Sequence, residues 1–261
     1  MLRFWDTAAV APTEGGFAVL LDGNPMRIPG GKPLTVAAPA LAEAVAAEWQ
    51  QAGGAKGGAM TMDHVPLTRL AGTAQDRIAP DPAPVAAALA QYAESDLLCY
   101  RAEAPATLVV RQAHAWQPWL DWAARRYGAR LDATTGIMHR AQDPAALDAI
   151  RRAMAGQSVP TLAALGIAVP LLGSAVLGLA LAEGALDAAA AHELASLDEL
   201  SQVEGWGEDA EAAARRRRIA EDVALAERFI RLSRNTVHFV IRIAADTSIR
   251  VVGCGVRGRN G

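Results

Sequence analysis

GGFAVLLDGNPMRIPGGKPLTV, residues Gly15–Val36, reads as strands and turns in a chain that is otherwise mostly alanine-rich helix. Phe17–Leu21 is a short apolar β-type run. Asp22-Gly23 is a turn signal, because glycine takes positive φ without a Cβ penalty. Met26–Ile28 and Leu34–Val36 are the predicted partner strands, separated by Pro29-Gly30-Gly31. The segment PALAEAVAAEWQQ follows, with Pro39 in the first turn of a predicted helix. Leu41, Val45 and Trp49 recur at helical spacing and form one buried stripe. Strands plus one helix make a small α+β unit. AGGAKGGAM, Ala52–Met60, reads as a flexible connection out of it.

The rest of the chain sets the scale. Its 261 residues, 52% hydrophobic, supply ample core, and the abundance of alanine favours helices over sheets. Predicted helices run over Leu67–Ile78, Pro82–Glu94, Pro105–Tyr127, Pro144–Met154, Thr161–Ala182, Ala188–Val203 and about Glu208–Leu232. Asp81-Pro82, Ala104-Pro105, Asp143-Pro144 and Asp187 supply start signals. Arg130–Met138, rich in β-branched residues, reads as an extended piece and one more strand for the N-terminal sheet. The fold class is therefore α+β, a small N-terminal strand-rich domain joined to a larger all-helical C-terminal domain. Residues 1–58 form the first, with 130–138 as its added strand, and residues 59–232 the second. Residues 233–261 change to a basic, glycine-rich composition and are left as an unassigned tail.

The central segment TLAALGIAVPLLGSAVLGLALA carries no charge and is long enough to consider as a bilayer span. Pro170 at its centre, three diluting glycines and the lack of flanking aromatics argue against that. The alternative is a buried helix, or two short helices broken before Pro170.

Most signatures of chemistry are missing. No P-loop, dinucleotide-binding glycine motif or hydrolase elbow is present. Five histidines fall in separate segments, and the two cysteines, Cys99 and Cys254, form neither a disulfide framework nor a metal-ligand pair. No cofactor and no metal site are expected. A net charge of −3 offers no global basic field for nucleic acid or an anionic membrane. The N-terminus lacks the pattern of a secretory signal, so a bacterial cytoplasmic protein is expected, or a mitochondrial matrix protein if the source is eukaryotic.

Two features call for an explanation. RQAHAWQPWLDWAARRYG places Trp116, Trp119 and Trp122 three apart, which winds them round one side of a helix, part core and part groove wall or patch. SLDELSQVEGWGEDAEAAARRRR, Ser196–Arg218, gathers Asp198, Glu199, Glu204, Glu208, Asp209 and Glu211 around Trp206, then runs into four arginines. Gly207 ends one segment, and Glu208, Asp209 and Glu211 occupy the first turn of the next, at the positive end of its dipole. Glu211 stands four residues before Arg215, in the favourable order for an ion pair. Four consecutive arginines point around the whole helix and read as a solvated face, not a phosphate-tracking stripe. Capping does not account for Asp198, Glu199, Glu204 and Trp206, which suit a contact surface for a basic, partly apolar partner. The acids also admit a small-molecule hydrolase, if two of them converge in a deep pocket.

Several segments, in this order, resemble one family. They are Gly15–Pro29, LAEAVAAEW (Leu41–Trp49), MDHVPLTRLAGTAQDR (Met62–Arg77), DLLCYRAEAP (Asp96–Pro105) and LDE--Q---WGED-E (Leu197–Glu211). The family is that of the assembly chaperones for the alpha subunit of the catalytic head of ATP synthase, found in mitochondria and alphaproteobacteria. The resemblance spans about residues 3–232. It does not reach the tail, and GIAVPLLG departs from the more polar segment the family usually has there. It implies the two-domain architecture above and no enzymatic activity. It also implies binding of unassembled alpha subunits, which are kept from aggregating until beta subunits replace the chaperone. The family links C-terminal carboxylates to function, which points to Glu199, Glu204 and Glu208. The expected partner-binding set is Asp198, Glu199, Glu204, Trp206, Glu208 and Asp209. Reversal of Glu199 and Glu208 to lysine is expected to weaken capture while leaving stability nearly unchanged.

Overall fold

A computed structural model describes residues 1–29 and 31–234. Strands β1 (Ala8–Thr13) and β2 (Gly16–Leu21) form an antiparallel hairpin in register Ala8 with Leu21 through Thr13 with Gly16. Two short strands, β3 (Asn24–Pro25) and β4 (Thr35–Val36), both pair with β2. The expected strand Met26–Ile28 shrinks to a single bridge between Arg27 and Pro33, with β3 beginning two residues earlier. β1 was not foreseen. Its alanines and Pro12 are poor strand formers, but as the edge strand it makes ladder bonds on one side only, where a proline is tolerated.

Helix α1 (Pro39–Gln51) lays Leu41, Val45 and Trp49 against this sheet, as its periodicity requires. Trp5 is fully buried beside Trp49, ring centroids 4.9 Å apart, and its Nε1 donates to the Trp49 carbonyl at 3.0 Å. The glycine-rich connection after α1 is pinned, contrary to expectation. The buried Arg3 guanidinium donates to the carbonyls of Trp5, Asp6, Gln50 and Gly54, and Arg3 backbone groups bond Gly57 and Gly58. Charge-assisted bonds of this kind replace the order that glycine by itself cannot provide.

Helix α2 (Pro66–Thr73) continues into one π-helical turn over Ala74–Ile78. Its N-terminus is capped from α1: Glu48 accepts from the backbone N–H groups of Leu67 and Thr68 at 2.8 and 3.1 Å, and Trp49 Nε1 donates to Thr68 Oγ1 at 2.9 Å. The buried apolar cluster therefore runs unbroken from Trp5 and Trp49 through Leu67 and Leu70 into the helical region.

α3 (Ala83–Ala90) packs on α5 (Pro144–Ala155), which Asp143 caps as expected. Between them come β5 (Tyr100–Arg101), α4 (Ala106–Tyr127) and β6 (Thr134–Thr135). β6 corrects the expectation for 130–138. It is extended, but it pairs in parallel with β5 in a separate two-stranded sheet and adds nothing to the N-terminal one. The ladder that takes a short strand is set by which backbone edge passes nearby, information its own residues do not carry.

The central apolar segment forms α6 (Val159–Leu172) and α7 (Ala175–Glu183). Pro170 lies inside α6 and does not break it. The carbonyl that loses its partner belongs to Gly166, on the same solvent-facing side as Pro170, where water can satisfy it. The break comes at Gly173, in the left-handed region at φ 61°, followed by Ser174, whose side chain accepts from the Leu177 N–H at 3.0 Å. Gly178 allows the two helices to touch: a Cβ there would lie 2.4 Å from Val169 Cγ2. Among the described residues no helix is long and apolar enough to cross a membrane.

α8 (Ala188–Ala195), capped by Asp187, and α9 (Leu197–Trp206) divide the expected helix 188–203 at Ser196. α10 (Ala210–Ser233) then packs its length against α6 and α8. Ser233, first residue of the stretch left unassigned, closes α10, and Arg234 donates to the Ala182 carbonyl. Residues 235–261 lie outside the described residues.

Candidate functional site at the α9–α10 corner

Every residue of the expected partner-binding set falls at the α9–α10 corner, but the structure sorts them into two groups. Asp198 turns towards α4 and accepts from Gln112 Nε2 at 2.6 Å. Glu199 turns towards α10 and accepts from Arg216 at 2.7 Å, with Arg215 at 3.5 Å. Adjacent helical positions point about 100° apart, so these two carboxylates serve different helices. Glu208 closes the clamp on Arg216 from the other side at 2.7 Å. Asp209 caps α10, accepting from the Ala212 N–H at 2.9 Å.

Arg216 overturns the reading of the arginine run as a solvated face. Its side chain is only 8% exposed and is held by two carboxylates. Arg215, expected to pair with Glu211, reaches Glu199. The same contacts argue against the expectation that reversing Glu199 leaves stability unchanged. Lysine there would set a second cation against a buried guanidinium, and breaking a buried pair is destabilising.

The second group stays available. Glu204 holds Arg111 at 2.7 Å across to α4, yet its side chain is 63% exposed. Trp206 ends α9 as a residue 91% exposed, and Gly207 follows it at φ 90°. A tryptophan left this bare gives up most of the burial free energy it could gain. Beneath α9 lies a cleft of about 350 Å³, walled by Ala115, Trp119, Leu186, Leu194, Leu197 and Leu200, with Arg111 and Glu193 at its rim. The tryptophan series on α4 divides as its spacing implies. Trp116 is fully buried and donates from Nε1 to the Leu194 carbonyl at 2.9 Å, whereas Trp119 and Trp122 are half-buried, rings 6.1 Å apart.

Elsewhere, Cys99 is buried, which pushes its thiol up to about 12. Asp96, fully buried, is raised to about 6 by desolvation, although the N–H groups of Leu98 and Val176 each donate to it at 3.1 Å. No group of three His, Cys, Asp or Glu is placed to hold a metal among the described residues.

Two larger clefts escaped the reading of the sequence. They flank α2, at about 700 and 640 Å³, and share Arg69, Thr73 and Arg77. The signal was present: Arg69, Thr73, Asp76 and Arg77 recur at helical spacing opposite the buried Leu67, Leu70, Ala71 and Ala74.

Residues 2–124 match the family model described as ATP12 chaperone protein. The crystal structure of Atp12 from Paracoccus denitrificans is 42% identical, with a TM-score of 0.84, over 89% of this chain and 98% of that one. The chain belongs to the ATP12 chaperone family. A mutant of P. denitrificans Atp12p matches with the same figures. The Atu1473 protein of Agrobacterium tumefaciens is 39% identical with a TM-score of 0.81, over 89% of this chain and 86% of that one. The fold is thus the α+β fold of ATP12 chaperones, with N-terminal strands followed by a largely helical region. The clefts along α2 draw their shared arginines from within the residues the family model matches, whereas the α9–α10 corner lies beyond that model's end at residue 124.

Proposed function

We propose that this chain is an assembly chaperone for the catalytic head of ATP synthase, binding the unassembled alpha subunit and keeping it from aggregating until the beta subunit replaces it. The observation that carries the reading is the exposed Trp206 at the tip of a polar-tethered helix, in a chain of a chaperone family. An isolated subunit of an obligate oligomer bares apolar surface that aggregates. A large ring with little conformational freedom is a good anchor for such a surface, and the exposed Glu204 near it supplies orientation and a salt-sensitive on-rate, while Glu208 and Asp209 hold the start of α10. Asp198 and Glu199 act from behind, holding α9 in place. Release follows from competition by the beta subunit. The setting that fits is the bacterial cytoplasm, or the mitochondrial matrix in a eukaryote. We also propose the division into residues 1–58 and 59–232 as two domains sharing one core.

The experiment follows aggregation of purified alpha subunit by light scattering with and without the chaperone. Suppression by the wild-type chain, lost in Trp206→Ala, supports the proposal. Alpha subunit that precipitates equally fast with no complex formed overturns it.

A further inference from the structure

Arg101, at the end of β5, carries a cation that no carboxylate meets among the described residues. Its Nη1 donates to the Gln112 carbonyl at 2.6 Å. Its Nε and Nη2 are both shielded from bulk solvent and neither reaches an acceptor among the described residues. These two nitrogens form one edge of the guanidinium, and their N–H bonds run parallel. That edge matches the two oxygens of a carboxylate. A buried donor without an acceptor is expensive, and two on one cation more so.

The edge is held stiffly. The guanidinium carbon lies 5.3 Å from the centroid of the fully buried Trp116 ring. Gln112, also fully buried, takes the Ala102 N–H on its side-chain oxygen at 2.7 Å, so both residues of the corner are fixed to α4. Nearby groups leave the cation unanswered. The Cys99 thiol is neutral, pushed up to about 12, and Asp132 is engaged by Arg140 at 3.1 Å. Arg101 forms part of the wall of a cleft of about 470 Å³, together with Ala102, Glu103, Val109, His114, Gln117 and Thr135; Glu103 is the carboxylate of this wall and makes no ion pair with Arg101. Gln112 also donates to Asp198, which ties this corner to α9.

We propose that the Nε and Nη2 edge of Arg101 is a receptor for a carboxylate entering the cleft between β5, β6 and α4, delivered by an aspartate or glutamate side chain of the protein client. The client half rests on the chaperone reading above; the receptor half does not.

Acetate is the probe for the receptor. The Tm of the wild type, Arg101→Met and Arg101→Lys is measured in sodium acetate and in sodium chloride at equal ionic strength. The wild type is expected to melt about 2–4 °C higher in acetate, by binding linkage. Both variants lose that difference, because methionine removes the charge and lysine removes the paired edge. Arg101→Met is expected to melt within about 5 °C of the wild type in chloride, since the lost bond to the Gln112 carbonyl is offset by removal of a cation whose other edge is unmet. An equal acetate response in all three proteins overturns the receptor. A loss of more than about 5 °C in chloride for Arg101→Met also overturns it, because the cation would then be satisfied within the fold. If that variant does not fold, Arg101→Lys carries the acetate comparison. Alpha-subunit capture tests the client half: the variant that has lost its acetate response should bind at least about tenfold more weakly, roughly the value of one charged contact. Undiminished capture overturns delivery by the client, with free anions then the ligand. A wild-type chain that captures no alpha subunit strikes the chaperone reading and leaves the acetate result standing.

Discussion

Helices α7 and α9 are nearly equal in length, nine and ten residues, and are held by opposite means. In α7 every residue from Ala175 to Ala182 is buried. In α9 only Leu197 is. α7 is kept in place by apolar area, a strong and non-directional force. α9 is held by Asp198 to Gln112, Glu204 to Arg111 and Glu199 to Arg216, contacts that are directional and, where exposed, screened by salt. A helix held the first way moves only when the domain unfolds. One held the second way can shift or detach locally, at low cost, which is the property a contact element needs.

The largest effect should fall on α7. Leu177→Ala empties a fully buried site and is expected to cost about 2–5 kcal/mol, read from the urea midpoint at unchanged slope. A cost no larger than that of an α9 surface change would erase the contrast.

Asp96 sharpens it from another side, because it caps the start of α7 from within the core. Its folded pKa, about 6, lies above its ordinary value, so the folded state holds the proton more tightly. That stabilisation is complete below about pH 4 and is lost as pH rises to about 6, by at most about 3 kcal/mol. Unfolding free energies of the wild type and Asp96→Asn, compared from pH 4 to 7, should therefore show the wild type losing ground over this window. A constant difference would mean that Asp96 does not titrate there.

Glu199→Lys should cost about 1–3 kcal/mol, because Arg216 loses one of two partners while buried. Glu199→Gln should cost less, and double-mutant cycles with Arg216→Met would isolate the pair. Trp206→Ala should change stability by no more than about 0.5 kcal/mol while abolishing capture of alpha subunit. A large loss of stability there would show that Trp206 belongs to the fold.

Where a residue's effect is local, the sequence could be read correctly. Asp143 and Asp187 cap the helices they announce, Gly207 ends α9, and Leu41, Val45 and Trp49 face inward. The strand β2 was clear from its apolar run, and so were the clustering of acids around Trp206 and the family resemblance. Reading failed where a distant partner decides. β1 exists because β2 offers an edge, and β6 pairs with β5 because α4 brings them together. Pro170 stays inside α6 because Gly166, one turn earlier on the same face, is exposed to solvent. The residues alone settle caps, turns and apolar periodicity, because these act over one turn of chain. Only the folded chain decides which of four consecutive arginines is buried, which carboxylates are spent on it, and that Arg101 keeps an edge unmet, because the energy of a charge is set by what surrounds it in space.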